Sequence, residues 1–183
     1  MSVAPQAAPR RLLHLRRITC EAYERDDGLL EIEGLLVDTK PTAIRLATGR
    51  SIDAGGDIHR MRIRLTVDRE RWIVAVAAFS EAHPYLECEE AESAYQKLVG
   101  LRIEPGFTRK VKQMFRGEAG CTHISETVPP MATTLFQVLW ADGEFEDKAT
   151  AVTSSPVGAC HGLRLDGQVV RTYFPAHRKD SQS

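Results

Sequence analysis

Ile18-Thr19-Cys20-Glu21-Ala22-Tyr23-Glu24-Arg25-Asp26-Asp27-Gly28-Leu29-Leu30-Glu31-Ile32-Glu33-Gly34-Leu35-Leu36-Val37 is the stretch whose reading decides the fold. Asp27-Gly28 supplies the positive φ of a tight hairpin, because glycine has no Cβ to clash there. The flanking segments Ile18–Tyr23 and Leu29–Val37 therefore predict two antiparallel strands. Downstream, Met61, Ile63, Leu65 and Val67 alternate with Arg62, Arg64 and Thr66, the pattern of a strand with one buried and one wet face. Asp68 to Arg71 turns the chain into a further strand, Trp72 to Phe79. The connection from Pro41 to Gly56 carries Gly49, Gly55 and Gly56 and predicts a flexible surface loop.

After Pro84 the apolar period changes from about two to about 3.6. Ala91, Ala94, Tyr95, Leu98 and Val99 make one helical stripe closed by Gly100. Phe107, Val111, Met114 and Phe115 make a second, with Thr108 as N-cap and Gly117 as terminator. A third helix is expected around Cys121 to Trp140, broken or kinked at Pro129-Pro130 before Met131, Leu135, Val138 and Leu139 resume. Residues 142 to 158 read as loop, and Asp166-Gly167 within Leu163 to Phe174 predicts a closing hairpin or terminal strand. The expected fold is α+β: an antiparallel sheet of about four strands, then three helices packed on one face, then that C-terminal hairpin or strand.

The 183 residues, 43% of them hydrophobic, suit one packed domain over residues 10–175, with a disordered lead-in at 1–9 and a disordered tail at 176–183. Lys and Arg number 24 against 25 Asp and Glu, so no global field draws nucleic acid or an anionic membrane. No apolar run is long enough to span a bilayer, and Met1 to Arg17 lacks the apolar region of a secretory signal, which predicts a cytoplasmic protein. The four cysteines, Cys20, Cys88, Cys121 and Cys160, are sparse and far apart, as expected of reduced thiols. No Cys-x-x-Cys pair occurs, so a metal site would have to be assembled by the fold.

Gly117-Glu118-Ala119-Gly120-Cys121-Thr122-His123 carries the most chemistry. Its glycines permit close backbone approach as a helix begins, and a helix start favours the thiolate that a nucleophile or a metal ligand needs. His123 adds an imidazole; the bland alternative, at even weight, is a small buried Cys121 and a capping His123. Cys88, after His83-Pro84-Tyr85, also precedes a helical stripe, though a thiol that only packs is the commoner case. Cys160-His161 in a glycine-flanked loop could complete a soft-ligand site or begin the last hairpin. Cys20, inside a strand, reads as a packed thiol, and Arg25-Asp26-Asp27 as turn formers facing water. Asp38, Lys40, His59, Arg62 and Arg64 are expected to share the polar sheet face, more often simply solvated than built for an acidic substrate. P-loop, Gly-x-Gly-x-x-Gly and Gly-x-Ser-x-Gly motifs are missing, so nucleotide and serine-hydrolase chemistries have no support.

The chain resembles a bacterial family known as domain of unknown function 2889. The resemblance rests on Tyr23 to Leu29, Glu31 to Gly34, Asp38-Thr39-Lys40, Ile58 to Met61, Arg64 to Asp68, His83-Pro84-Tyr85 with Cys88, Leu98-Val99-Gly100, Gly120 to His123 and Met131 to Thr134, and spans residues 11 to about 175. Val128-Pro129-Pro130 stands where that family usually has a Leu-rich turn and a single Gly-Pro. A second resemblance is to the iron–sulfur scaffold fold of IscU and NifU, in which helices following an antiparallel sheet start at metal-binding cysteines. Cys88 and Cys121 are similar to two of those ligands, whereas the scaffold's Ala-Cys-Gly-Asp is missing.

Three functions follow as expectations. One is zinc or iron bound by Cys88, Cys121, His123 and Cys160. Another is a small catabolic enzyme, a lyase or hydrolase on an acidic or aromatic metabolite, with Cys121 as nucleophile and His123 or His59 as base. The third is an accessory subunit that meets a larger enzyme through the polar sheet face. A shared site requires Cys88 and Cys121, 33 positions apart, to approach one another.

Overall fold

The computed structural model describes residues 8–141 and 157–177. Strands β1 (Leu15–Glu24), β2 (Leu30–Thr39), β5 (Asp57–Val67) and β6 (Ile73–Ala82) form an antiparallel sheet in the order β1-β2-β5-β6. The β1–β2 hairpin turns at Gly28, whose φ of 82° needs a residue without a Cβ, and the Arg25 and Leu29 backbones bond across it at 2.9 Å. The connection expected to be a loop holds a small ribbon, β3 (Ile44–Arg45) and β4 (Ser51–Ile52), closed around Gly49. The expected lead-in 1–9, loop 142–158 and tail 176–183 lie largely outside the described residues.

Alternation along β2 is strict. Leu30, Ile32, Gly34, Leu36 and Asp38 are buried while the residues between them are half-buried. Across the ladder Val67, Leu65, Ile63 and Met61 stand opposite Leu30, Ile32, Gly34 and Leu36, so one face carries the core. The opposite face carries Arg60, Arg62 and Arg64, which pair with Glu81, Glu33 and Glu31. This corrects the expected common polar face: Arg62 and Arg64 lie on it, but Asp38 and His59 have the parity of the apolar residues and point to the core side.

Residues Leu86–Leu98 wind as a 3-10 helix, with Tyr95 and Leu98 buried. Gln96 Nε2 donates to the Val76 carbonyl at 2.8 Å, and Gly100 ends the segment at a φ of 80°. Gly100, Leu101 and Ile103 then run along the start of β6, bonding the Ile73 and Arg71 backbones. Helix α1 (Phe107–Met114) begins at Gly106, which stands in the N-cap place expected of Thr108.

Helix α2 (Thr122–Ala141) passes through Pro129-Pro130 without ending, against the expected break. Proline's φ suits a helix; what it removes is an N–H and room near the carbonyl four residues back. Ile124, Val128, Met131 and Leu135, all without accessible surface, hold the helix in place despite that cost. The Thr133 and Thr134 hydroxyls donate to the Pro130 carbonyl at 2.8 and 3.0 Å. Where α2 crosses the sheet it meets Gly34: a Cβ there would come within 2.5 Å of Thr127 Cγ2 and 2.6 Å of Met131 Sδ.

Contacts divide the chain into two units, Met1–Val138 and Leu139–Ser183. In the second, the expected closing hairpin or strand is helical: a 3-10 turn at His161–Leu163, then α3 (Gln168–Tyr173) with Val170 buried. Gly167 takes a φ of −75° and caps α3, so Asp166-Gly167 opens a helix instead of reversing a strand. No helix among the described residues is long and apolar enough to cross a membrane.

Candidate metal centre

One row of the sheet assembles the site. Register places Arg16 of β1 opposite Asp38 of β2, and Asp38 opposite His59 of β5, all on the core face at the end of the apolar stripe. The start of α2 lies over this row and adds His123. Asp38 keeps only 1% of its surface exposed, so its charge must be met within the fold. Arg16 supplies a two-pronged pair, Nε to Oδ1 at 2.8 Å and Nη2 to Oδ2 at 2.7 Å. His14 Nε2 stands 2.9 Å from Oδ1 and His59 Nδ1 3.1 Å from Oδ2, each placed to donate an N–H. Arg16 also reaches Glu126 of α2 at 2.5 Å, which balances the guanidinium's charge. Burial by itself would raise the Asp38 pKa; the hydrogen bonds of Arg16 and His14 outweigh it and hold the carboxyl well below its usual range.

His123 Nε2 lies 3.6 Å from Asp38 Oδ2, and its ring stacks on that of His59 with centroids 3.7 Å apart and planes 25° apart. Burial is the main cause that lowers both imidazoles. His123 falls to about 4, helped by the neighbouring His59 and Arg16 charges and opposed by Asp38. Both rings are therefore neutral near pH 7 and keep a lone pair, the form that binds metal. Ligand atoms of Asp38, His59 and His123 all lie within 4.8 Å of one another. Metal–ligand bonds of about 2.1 Å put neighbouring ligand atoms roughly 3.0 to 3.4 Å apart in octahedral or tetrahedral geometry. His59 Nδ1, at 3.1 Å from Asp38 Oδ2, falls within that range once its proton has moved to Nε2, and His123 Nε2, at 3.6 Å, lies just outside it. Arg16 and His14 would orient the carboxylate from behind, as outer-shell partners do.

The cysteines lie outside this group. Cys121 caps α2, accepting the Ser125 N–H at 2.9 Å, and its Sγ is 3.7 Å from His123 Nδ1. It thus faces the opposite edge of the ring from Asp38. Cys88 lies close enough to Cys121 to be influenced by it: burial pushes the Cys88 thiol up and the Cys121 charge adds to this. The converging ligand group among the described residues contains His123, from the expected set, and no cysteine. Cys160, exposed, precedes the 3-10 turn of the second unit. Cys20, on the core face opposite Gly34, is a part-buried thiol that burial pushes up. His59, expected as a base and on the polar sheet face, is a member of the cluster.

Arg16, His14 and Glu126 escaped the sequence reading as site residues, and Asp38 entered it only as part of a polar sheet face. Their signal is parity, since Asp38 extends the even-numbered series Leu30, Ile32, Gly34, Leu36, and His59 extends the odd-numbered series Val67, Leu65, Ile63, Met61. Two ionisable residues on the same row of a core stripe are rarely left without a role.

No curated protein and no solved structure matches the chain, so the likeness to the IscU and NifU scaffold has no support. Residues 14–137 match the family described as Protein of unknown function (DUF2889), a span that takes in β1 through most of α2 and every residue of the cluster; the chain belongs to that family.

Proposed function

We propose that the protein binds one zinc or iron ion through Asp38 Oδ2, His59 and His123. The observation that carries this is the convergence, from β2, β5 and α2, of one carboxylate and two neutral imidazoles within 4.8 Å. Two histidines and a carboxylate leave positions open for water or substrate, as in catalytic zinc sites and non-haem iron sites. With no thiolate in the set, a single ion suits it and an iron–sulfur cluster does not. The test is elemental analysis of anaerobically handled protein carrying no histidine tag, with His59→Ala, His123→Ala and Cys121→Ala alongside. Wild type and Cys121→Ala are expected to hold about one ion per chain, and either histidine variant less than about 0.1. Wild type below about 0.1 even after reconstitution, or full loading of both histidine variants, overturns the reading.

A second reading is favoured by one contact, Cys121 Sγ to His123 Nδ1 at 3.7 Å on the cap of a long helix. There Cys121 is the nucleophile of a lyase or hydrolase and His123 the base, with Asp38 holding the far nitrogen of the ring. Rapid iodoacetamide labelling of Cys121 that slows in His123→Ala, in protein lacking metal, is the result this reading requires.

A further inference from the structure

The arginines of the sheet face are neutralised by carboxylates of the same sheet, whereas the cations of α1 are not. Between Arg102 and Arg116 the chain has five basic residues and one acidic one, Glu104, although its net charge is only −1. Arg102 is anchored, donating to the Glu70 carbonyl at 2.9 Å and lying over the Trp72 ring at 5.9 Å. Arg109, Lys110, Lys112 and Arg116 are exposed, and their side chains have no hydrogen bond or ion pair among the described residues. Phe107 and Val111 bury the other side of α1, which fixes these cations outward. They line a groove made of two adjoining hollows, of about 570 and about 480 Å³, that share Gly106, Arg109 and Gln113; the exposed indole of Trp72 stands at one end. Burial lowers the pKa of the nearby Arg71, the like charge of Arg102 adds to this and Glu104 opposes it.

The groove's shape selects its occupant. Arg109, Lys110 and Lys112 lie on α1 and Arg116 two residues past its end, so that at about 1.5 Å of rise per residue the cations are spread over roughly 10 Å of chain. An extended peptide advances about 3.4 Å per residue, so about three residues cover that length and its alternate side chains bring two carboxylates among the cations. Glu104, which lines the same hollow as Arg109 and Lys110, and Glu118, two residues past Arg116, bound the cationic stretch and repel a long polyanion such as nucleic acid more than a short acidic segment. We infer that the α1 groove, with Arg109, Lys110, Lys112 and Arg116 against carboxylates and Trp72 against a neighbouring apolar side chain, docks a short acidic segment of a partner protein.

This surface is independent of the proposed metal ion, and its test reads out separately. The full chain is titrated with a short fluorescein-labelled polyglutamate peptide containing one leucine, by anisotropy at low ionic strength. Saturable binding, weakened by salt and by about tenfold or more in Arg109→Glu/Lys112→Glu, is expected, with Lys97→Glu on the 3-10 helix binding like wild type. Circular dichroism of the double variant checks that its fold is kept, and Lys110→Gln/Arg116→Gln provides a milder second pair. No binding by wild type, unchanged binding in both double variants, or tighter binding of an oligothymidylate each overturns the inference.

Discussion

Tyr95 has no accessible surface, and its hydroxyl sits 2.6 Å from the Cys121 carbonyl and 2.7 Å from the Ser125 hydroxyl. It donates to the first and can accept from the second, which ties the 3-10 helix Leu86–Leu98 to the opening turn of α2, where His123 stands. Burial pushes its phenol up to about 12. The neutral form is the one the fold favours, so the stabilisation is complete below the unfolded value near 10 and is lost as pH rises through the folded value. That displacement corresponds to about 2–3 kcal/mol. Denaturation at pH 8 and pH 11 should therefore show wild type losing more stability than Tyr95→Phe, while at pH 8 the variant is weaker by about 1–2 kcal/mol for want of a donor to the Cys121 carbonyl. Identical alkaline losses in the two proteins would show that Tyr95 does not titrate as described. At this scale the sequence was only half legible. Gly120-Cys121-Thr122-His123 announced a helix start with an imidazole, and both features hold. Which groups that imidazole meets depends on strand register, and local sequence says nothing of the partner strand.

The strands were the most readable elements, because alternation and a turn glycine are local signals. Met61 to Val67 and the Asp27-Gly28 hairpin stand as their pattern implies. Helix α2 was not readable in this way: Pro129-Pro130 is a local stop signal, and four fully buried apolar side chains along the same helix override it. Asp166-Gly167 failed for the complementary reason, since the same dipeptide serves a hairpin or a helix cap according to a φ the sequence does not state. Gly34 links element packing to the site. It takes ordinary strand conformation, and its importance is the absence of a side chain where Thr127 and Met131 press on the sheet. Gly34→Ala must lift α2, at a cost of roughly 1–3 kcal/mol, and His123 moves with the helix while Asp38 and His59 stay on their strands. The expected result is a folded protein with zinc affinity lowered by tenfold or more, although residue 34 is not a ligand. Wild-type affinity in a destabilised variant would mean that the helix adjusts without carrying His123 away.

For the molecule as a whole, the distribution of the core decides which part of the chain is self-sufficient. Every buried apolar side chain among the described residues, apart from Leu139 and Val170, belongs to the unit that ends at Val138. The same unit holds the four-stranded sheet, the Asp38–His59–His123 cluster and the cationic α1 groove, and the family match stops at residue 137. A chain ended after Ala141, which keeps α2 and Leu139 intact, retains nearly all the apolar burial that drives folding. It should unfold in one cooperative transition, within about 2 kcal/mol of the full chain, and bind zinc with the same stoichiometry. Urea denaturation followed by fluorescence and by circular dichroism checks this. Non-coincident transitions together with strong binding of a hydrophobic dye would show that the second unit completes the core, and the boundary near Val138 would then separate regions of contact density and not independent folding units.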